Sequence, residues 1–180
     1  IGCTHIVGHS HGGWIALNYA LSAPERVKRL ILLAPAGALV PLAIQFYVRG
    51  IPTLLFPVRP LITGFIRWMT AEGFVAKEPF VEQFLLGAKH FRSQIRVLPS
   101  VFSDAELRQI TVPTLLLLGA QEVIYDRRAA SNRARRLIPN IKVEIIPNCS
   151  HGLPMEQPRL VDEHVLGFLG PEGDWPLQAA

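Results

Sequence analysis

Apolar positions along the chain fall into two kinds of pattern. Four short runs read as strands, at about 4–8, 29–34, 114–119 and 141–146. Leu30-Ile31-Leu32-Leu33-Ala34 and Leu115-Leu116-Leu117-Leu118 are continuously apolar, as in strands of a parallel sheet covered on both faces. Ile141 to Ile146 alternates instead. Helical spacing appears at about 12–21, 127–138 and 157–169, with Asp126 in the position of an N-cap. Between these stretches, residues 36–108 differ in character: they hold eight of the nine Phe, several Pro, and helical patterns near 40–49, 59–71 and 78–92, with no strand pattern.

Strand–helix alternation interrupted by one helical stretch predicts an α/β fold with a parallel sheet and a helical cap inserted into it. Three segments follow: 1–35, a strand, a helix and the next strand; 36–108, the cap or lid; and 109–180, the rest of the sheet with its helices.

Composition narrows the function classes. Of 180 residues, 49% are hydrophobic and 18% charged, which excludes a disordered chain. The densest basic cluster, Arg127, Arg128, Arg133, Arg135 and Arg136, alternates with Ala and Leu and reads as the wet face of a helix. Without interleaved aromatics it does not suggest nucleic acid as a partner. The longest charge-free run, Leu30 to Val48, is broken by Pro35, Gly37 and Pro41, so no membrane span is expected. Two cysteines, Cys3 and Cys149, make no disulfide framework, and with no leader visible a cytoplasmic location is expected. The chain begins on Ile1 and reaches strand-like sequence within a few residues, so it reads as the C-terminal portion of something longer.

Three short segments carry chemistry. In Gly8-His9-Ser10-His11-Gly12, a β-rich run precedes the serine and a helical pattern follows it. A sharp strand-to-helix turn would present the hydroxyl beside a base, and Gly8 and Gly12 would relieve the crowding on either side. The backbone N–H of His11, at the helix start, is then a candidate oxyanion donor. In Leu115-Leu116-Leu117-Leu118-Gly119-Ala120-Gln121-Glu122, a carboxylate lies just beyond a buried strand, on the sheet edge where ligands gather. Glu122 is the candidate acid; Asp126 is the alternative, although its place suits helix capping better. In Asn148-Cys149-Ser150-His151-Gly152, a histidine follows the last strand and is the candidate base. His9 and His11 flank the serine, but no carboxylate or cysteine ligand is near them in sequence, so no metal site is expected.

The order serine, acid, histidine is that of the α/β-hydrolase triad, and these three segments resemble the nucleophile elbow, acid segment and histidine segment of that superfamily. The resemblance covers nearly the whole chain, with 36–108 in the place of the lid. It implies an α/β-hydrolase fold, here its C-terminal half, in which Ser10 is the nucleophile, His151 the base and Glu122 the residue that orients it, with no cofactor. Two departures stand out. The family more often has Asp where this chain has Glu122. It also has further strands before the nucleophile strand, and a loop among them supplies the second oxyanion donor.

The expected function is hydrolysis of a carboxylic ester or related acyl substrate through an acyl-enzyme. The Phe- and Leu-rich lid points to a hydrophobic acyl or aryl ester. Esterases, lipases, lactonases, C–C bond hydrolases, peptidases and haloperoxidases all remain open, as does a homodimer. The rival from another class is a non-catalytic binding or scaffold protein of the same fold. The 180 residues alone are expected to be inactive, with one oxyanion donor and an open edge at the strand 4–8. The geometric expectation is a strained turn at Ser10 with His151 at roughly 2.6–3.2 Å.

Overall fold

A computed structural model describes residues 2–91 and 98–170. Four parallel strands form one sheet in the order β1-β2-β3-β4. They are β1 (Thr4–His9), β2 (Val27–Leu33), β3 (Thr114–Gly119) and β4 (Ile141–Ile146). β3 and β4 have the bounds read from the sequence. β2 begins earlier than expected, because Lys28 and Arg29 sit at its wetter start, where charged side chains reach solvent.

The two continuous apolar runs become the two central strands for a physical reason. Side chains of a strand point alternately to opposite faces. Leu30, Leu32, Leu116 and Leu118 therefore enter one core with Ala16, Leu17 and Ala20 of α1 (His11–Ser22) and Ala130 and Ala134 of α6 (Arg127–Leu137). Ile31, Leu33, Leu115 and Leu117 enter the other with Leu153 of α7 (Leu153–Glu156) and Val161 and Phe168 of α8 (Pro158–Leu169). β1 pairs with β2 alone among the described residues, and Thr4, His5 and Val7 are exposed.

Between β2 and β3 lie α2 (Ile44–Leu55), α3 (Arg59–Met69), α4 (Glu78–His90) and α5 (Asp104–Arg108). Their own small core is Ile62, Ile66, Val81 and Leu85, with Phe80 and Phe84 packed on it. Arg59 ties α3 to α4 through Glu78 and Glu82. The helix expected near 40–49 starts later and runs through Pro52. Pro41 precedes this start, and the chain is extended at the N-cap Ala43. The last position of the helix expected at 78–92, and the tail beyond 170, lie outside the described residues. The charge-free run Leu30–Val48 splits into the end of β2, a turn region and the start of α2. Among the described residues no helix is long and apolar enough to cross a membrane.

Two local features were not read from the sequence. α5 is held by a capping box, in which Ser103 Oγ accepts from the Glu106 N–H and Glu106 accepts from the Ser103 N–H. Arg133 is not on a wet face. It bonds Asp104 at 2.7 Å and the carbonyls of Leu39 and Phe102 at 2.5 and 2.6 Å, binding α6 to both ends of the insertion.

Candidate active site

Ser10 stands at the junction of β1 and α1, in a backbone conformation (φ 55°, ψ −121°) that an L-residue adopts only under constraint. The constraint is visible in its partners. The Ser10 N–H donates to the Leu33 carbonyl at 2.9 Å, and its own carbonyl accepts from Ala36 at 3.1 Å. The turn needs glycine at Gly8, where a Cβ would lie 2.3 Å from the Gly12 carbonyl oxygen. The second tight position is not Gly12, as the sequence suggested, but Gly13. A Cβ at Gly12 meets nothing within 4 Å among the described residues, whereas one at Gly13 would lie 2.8 Å from Pro35 Cβ. His11 opens α1, so its N–H belongs to a first turn that lacks intrahelical partners.

The histidine and acid loops meet because β3 and β4 are parallel neighbours and end together. Gly119, the last residue of β3, lets them approach: a Cβ there would fall 2.2 Å from the Ser150 carbonyl oxygen. His151 Nε2 lies 2.8 Å from Ser10 Oγ, and its Nδ1 lies 2.9 Å from Glu122 Oε2. The other oxygen of Glu122 accepts from the N–H groups of Val123 and Ile124 at 2.9 and 3.0 Å. The Glu122 side chain is 0% exposed and that of His151 is 7% exposed. An ionised carboxylate only accepts, so Nδ1 carries the ring proton and Nε2 presents its lone pair to the Ser10 hydroxyl. This arrangement can take a proton from Oγ and hold the resulting imidazolium against Glu122.

Asp126 is not part of this chain of bonds. Its carboxylate caps α6, accepting from the Ala129 N–H at 3.0 Å. His9 has a role that its residue type did not suggest: its Nε2–H donates to the His151 carbonyl at 2.9 Å. Burial holds the His9 pKa below its ordinary value, so it stays neutral near pH 7. The backbone N–H of His151 donates to Met69 of α3 at 3.1 Å. Both peptide groups flanking the imidazole are thus anchored, one to the insertion and one to the serine turn. Tyr125 meets the His151 ring edge-on at 6.4 Å, and burial beside Glu122 keeps its phenol un-ionised. Cys149 is buried, and desolvation pushes its thiol up to about 12, which removes it as a competing nucleophile. Its exposed counterpart, Cys3, is also free.

Above the serine lies a cavity of about 260 Å³. Ser10, His9 and His151 form its floor, and its walls include Phe46, Phe65, Ile66, Met69, Phe80 and Phe84. All six of these wall residues come from the insertion, so Ser10 and His151 face an apolar chamber.

The profile of the Alpha/beta hydrolase family matches residues 1–163. The chain belongs to that family. It is similar to an uncharacterized carboxylesterase, nap, of Bacillus subtilis (strain 168), at 38% identity over 94% of this chain and 57% of that protein. Carboxylesterase YbfK of the same strain is 33% identical over 92% of this chain and 57% of its own length. Among solved structures, naproxen esterase (carboxylesterase NP) from Bacillus subtilis superposes with a TM-score of 0.87, at 38% identity over 94% of this chain and 61% of that one. The chain therefore spans less than two thirds of the length of these relatives.

As an α/β hydrolase, the chain has its three expected site residues at the C-terminal ends of β1, β3 and β4, on one edge of the sheet. Reading along the sequence missed the supports around them. Glu156, five positions beyond His151, accepts from the N–H groups of Ala71 at 2.5 Å and Ser150 at 3.2 Å. Burial raises its carboxyl above the usual range, and those N–H groups work against the rise. A lone glutamate near a turn carries no sequence signal for such a contact, because its partners are backbone atoms of distant segments.

Proposed function

We propose that the protein is a serine carboxylesterase acting on hydrophobic acyl or aryl esters. The observation that carries this reading is the hydrogen-bonded series Ser10–His151–Glu122 opening into an apolar chamber. The named activities of the relatives, carboxylesterases at 33 and 38% identity, support it. Residues 36–108 act as the lid, their Phe side chains holding the apolar part of the substrate while its carbonyl rests near Ser10 Oγ.

In this reading, His151 Nε2 takes the hydroxyl proton as Oγ attacks the carbonyl. Negative charge develops on the carbonyl oxygen at the start of α1, where the His11 N–H donates to it. His151 then gives the proton to the departing alcohol and leaves an acyl-Ser10. A water, deprotonated by the same imidazole, releases the acid and restores the serine. Glu122 keeps the ring in the Nδ1–H tautomer and stabilises the imidazolium. Backbone hydrogen bonds from Val123 and Ile124 hold the other oxygen of its carboxylate in place. No metal or cofactor takes part, no membrane span or nucleic acid is invoked, and the free thiols fit a reducing cytoplasm.

The test uses the full-length protein that contains these residues. A fluorophosphonate probe is expected to label Ser10, and nitrophenyl esters of increasing acyl length are expected to turn over with a preference for apolar acyl groups. Absence of labelling at Ser10 in the folded protein would refute the reading in favour of a non-catalytic member of the fold.

A further inference from the structure

We infer that Glu156 is a positioning residue: its carboxylate couples the turn that closes α3 to the loop carrying His151, and so sets where the imidazole sits between Ser10 and Glu122. The kinetic consequence rests on the serine-esterase reading above; the structural consequence does not.

Three features carry it. First, Glu156 joins segments far apart in sequence. Its Oε2 accepts from the Ala71 N–H at 2.5 Å, and both of its oxygens lie 3.2 Å from the Ser150 nitrogen. Ala71 and Ser150 are buried, at 6% and 0% exposure, so their N–H groups have little water to turn to if the carboxylate is removed. Second, these bonds bracket His151. Ser150 precedes it directly, while Met69, two residues before Ala71, accepts the His151 N–H at 3.1 Å. The histidine loop is therefore laced to the end of α3 at two consecutive residues, one bond through the carboxylate and one backbone to backbone. Third, the next residue makes room for the lacing. A Cβ on Gly152 would stand 2.9 Å from Glu156 Oε1 and 3.3 Å from Thr70 Cγ2. Glycine at this position leaves the space that the carboxylate and the α3 terminus occupy.

The acid loop joins the same assembly. Gln121 Oε1 accepts from the Glu72 N–H at 3.2 Å, and the Gln121 carbonyl accepts from Ser150 Oγ at 2.6 Å. Thus the three residues following α3 reach the base loop through Glu156 and the acid loop through Gln121. A simple filler at position 156 has no need of a carboxylate: burying one costs solvation, and Glu122 nearby raises that cost. What the carboxylate supplies is an acceptor, Oε2, set to receive backbone donors from two different segments.

The experiment compares Glu156→Ala and Glu156→Gln in the full-length protein. With the alanine variant, kcat toward a nitrophenyl ester is expected to fall about 10²-fold, the cost of misplacing a catalytic group by roughly 1 Å. KM should stay within about threefold. The glutamine variant keeps an oxygen acceptor and should recover to within about tenfold of the parent. The imidazole Nδ1–H resonance of His151, seen at low field by proton NMR, should shift or broaden in the alanine variant and be retained in the glutamine variant. Should Glu156→Ala not fold, Gly152→Ala makes the same test, displacing Oε1 without removing it, and the same loss of kcat is expected. A folded Glu156→Ala protein with parental kcat and an unmoved resonance would overturn the inference. So would a glutamine variant as impaired as the alanine one. An inactive parent with a resonance that responds to Glu156→Ala would count against the esterase reading and leave the positioning role standing.

Discussion

The sheet and the helical insertion solve burial differently. In β2 and β3 the central leucines and isoleucine are wholly enclosed, with helices on both faces. In the insertion, Leu39, Phe102 and Leu107 join the core of the sheet, while among the described residues the helices α3 and α4 bury a separate small core of Ile62, Ile66, Val81 and Leu85, with Phe80 and Phe84 half-buried against it. One side of α2 leaves Ile44, Val48, Leu54 and Leu55 each more than 60% exposed. The sheet spends its apolar residues on rigidity, and Ser10, Glu122 and His151 are mounted beyond the ends of its strands. The insertion uses much of its apolar surface to wall a cavity. The contrast teaches that apolar content alone does not mark the core: continuous runs bounded by turns do, whereas aromatic-rich helical stripes here line a site.

Four predictions bear on that contrast. The largest effects belong to the strand ends. Ser10→Ala is expected to lower kcat by about 10⁶-fold and Glu122→Ala by about 10⁴-fold. Asp126→Ala should leave turnover intact and cost about 1 kcal/mol through its lost cap. Steady-state kinetics with a nitrophenyl ester decides between the two carboxylates: loss of turnover in the Asp126 variant with a healthy Glu122 variant would reverse their roles.

Next is stability. Leu116→Ala, at a position fully enclosed in the sheet, should cost about 2–5 kcal/mol. Leu54→Ser, on the exposed side of α2, should stay within about 0.5 kcal/mol. Denaturant unfolding of both variants measures this directly, and equal losses would erase the distinction between the regions.

A smaller effect is expected at the cavity wall. Phe84→Ala should move kcat/KM about tenfold toward bulkier acyl groups, with a melting temperature close to the parent's. A uniform loss across all acyl lengths would mean that Phe84 packs the insertion and does not meet substrate.

The smallest concerns His9. Its folded pKa is lowered by burial, below the ordinary value of 6.5. The unfolded chain therefore takes up the proton first as pH falls. The stability associated with neutral His9 is complete above about 6.5 and is lost as pH drops from there through the folded pKa. His9→Gln keeps a side-chain N–H for the His151 carbonyl and removes the titration. Its unfolding free energy should vary less between about pH 6.5 and 5 than the parent's, and identical slopes would show that His9 does not contribute.

Much of the site could be read along the chain because each of its three residues follows a strand whose pattern is local. The capping place of Asp126 was legible on local grounds, since its partner Ala129 lies within one turn. The errors have a common cause. Gly13, not Gly12, is crowded, because Pro35 comes from the end of another strand. Arg133 is bonded and not solvated, because its carbonyl partners lie in loops 94 and 31 residues away. A periodic pattern says which face of an element is apolar and nothing about which distant segment faces it.

The sequence by itself determined the strand and helix types, the parallel α/β class, the candidates for nucleophile, acid and base, and the helical nature of the insertion. These follow from side-chain periodicity and from residues within a turn of one another. Only the tertiary structure decided that Glu122 and His151 meet at 2.9 Å, that His9 and Met69 hold the His151 backbone, and that Glu156 joins α3 to the base loop. Those contacts link segments brought together by the parallel pairing of β1, β2, β3 and β4. Their partners are mostly backbone N–H and carbonyl groups, which every residue type carries alike, so they leave no mark in the order of side chains.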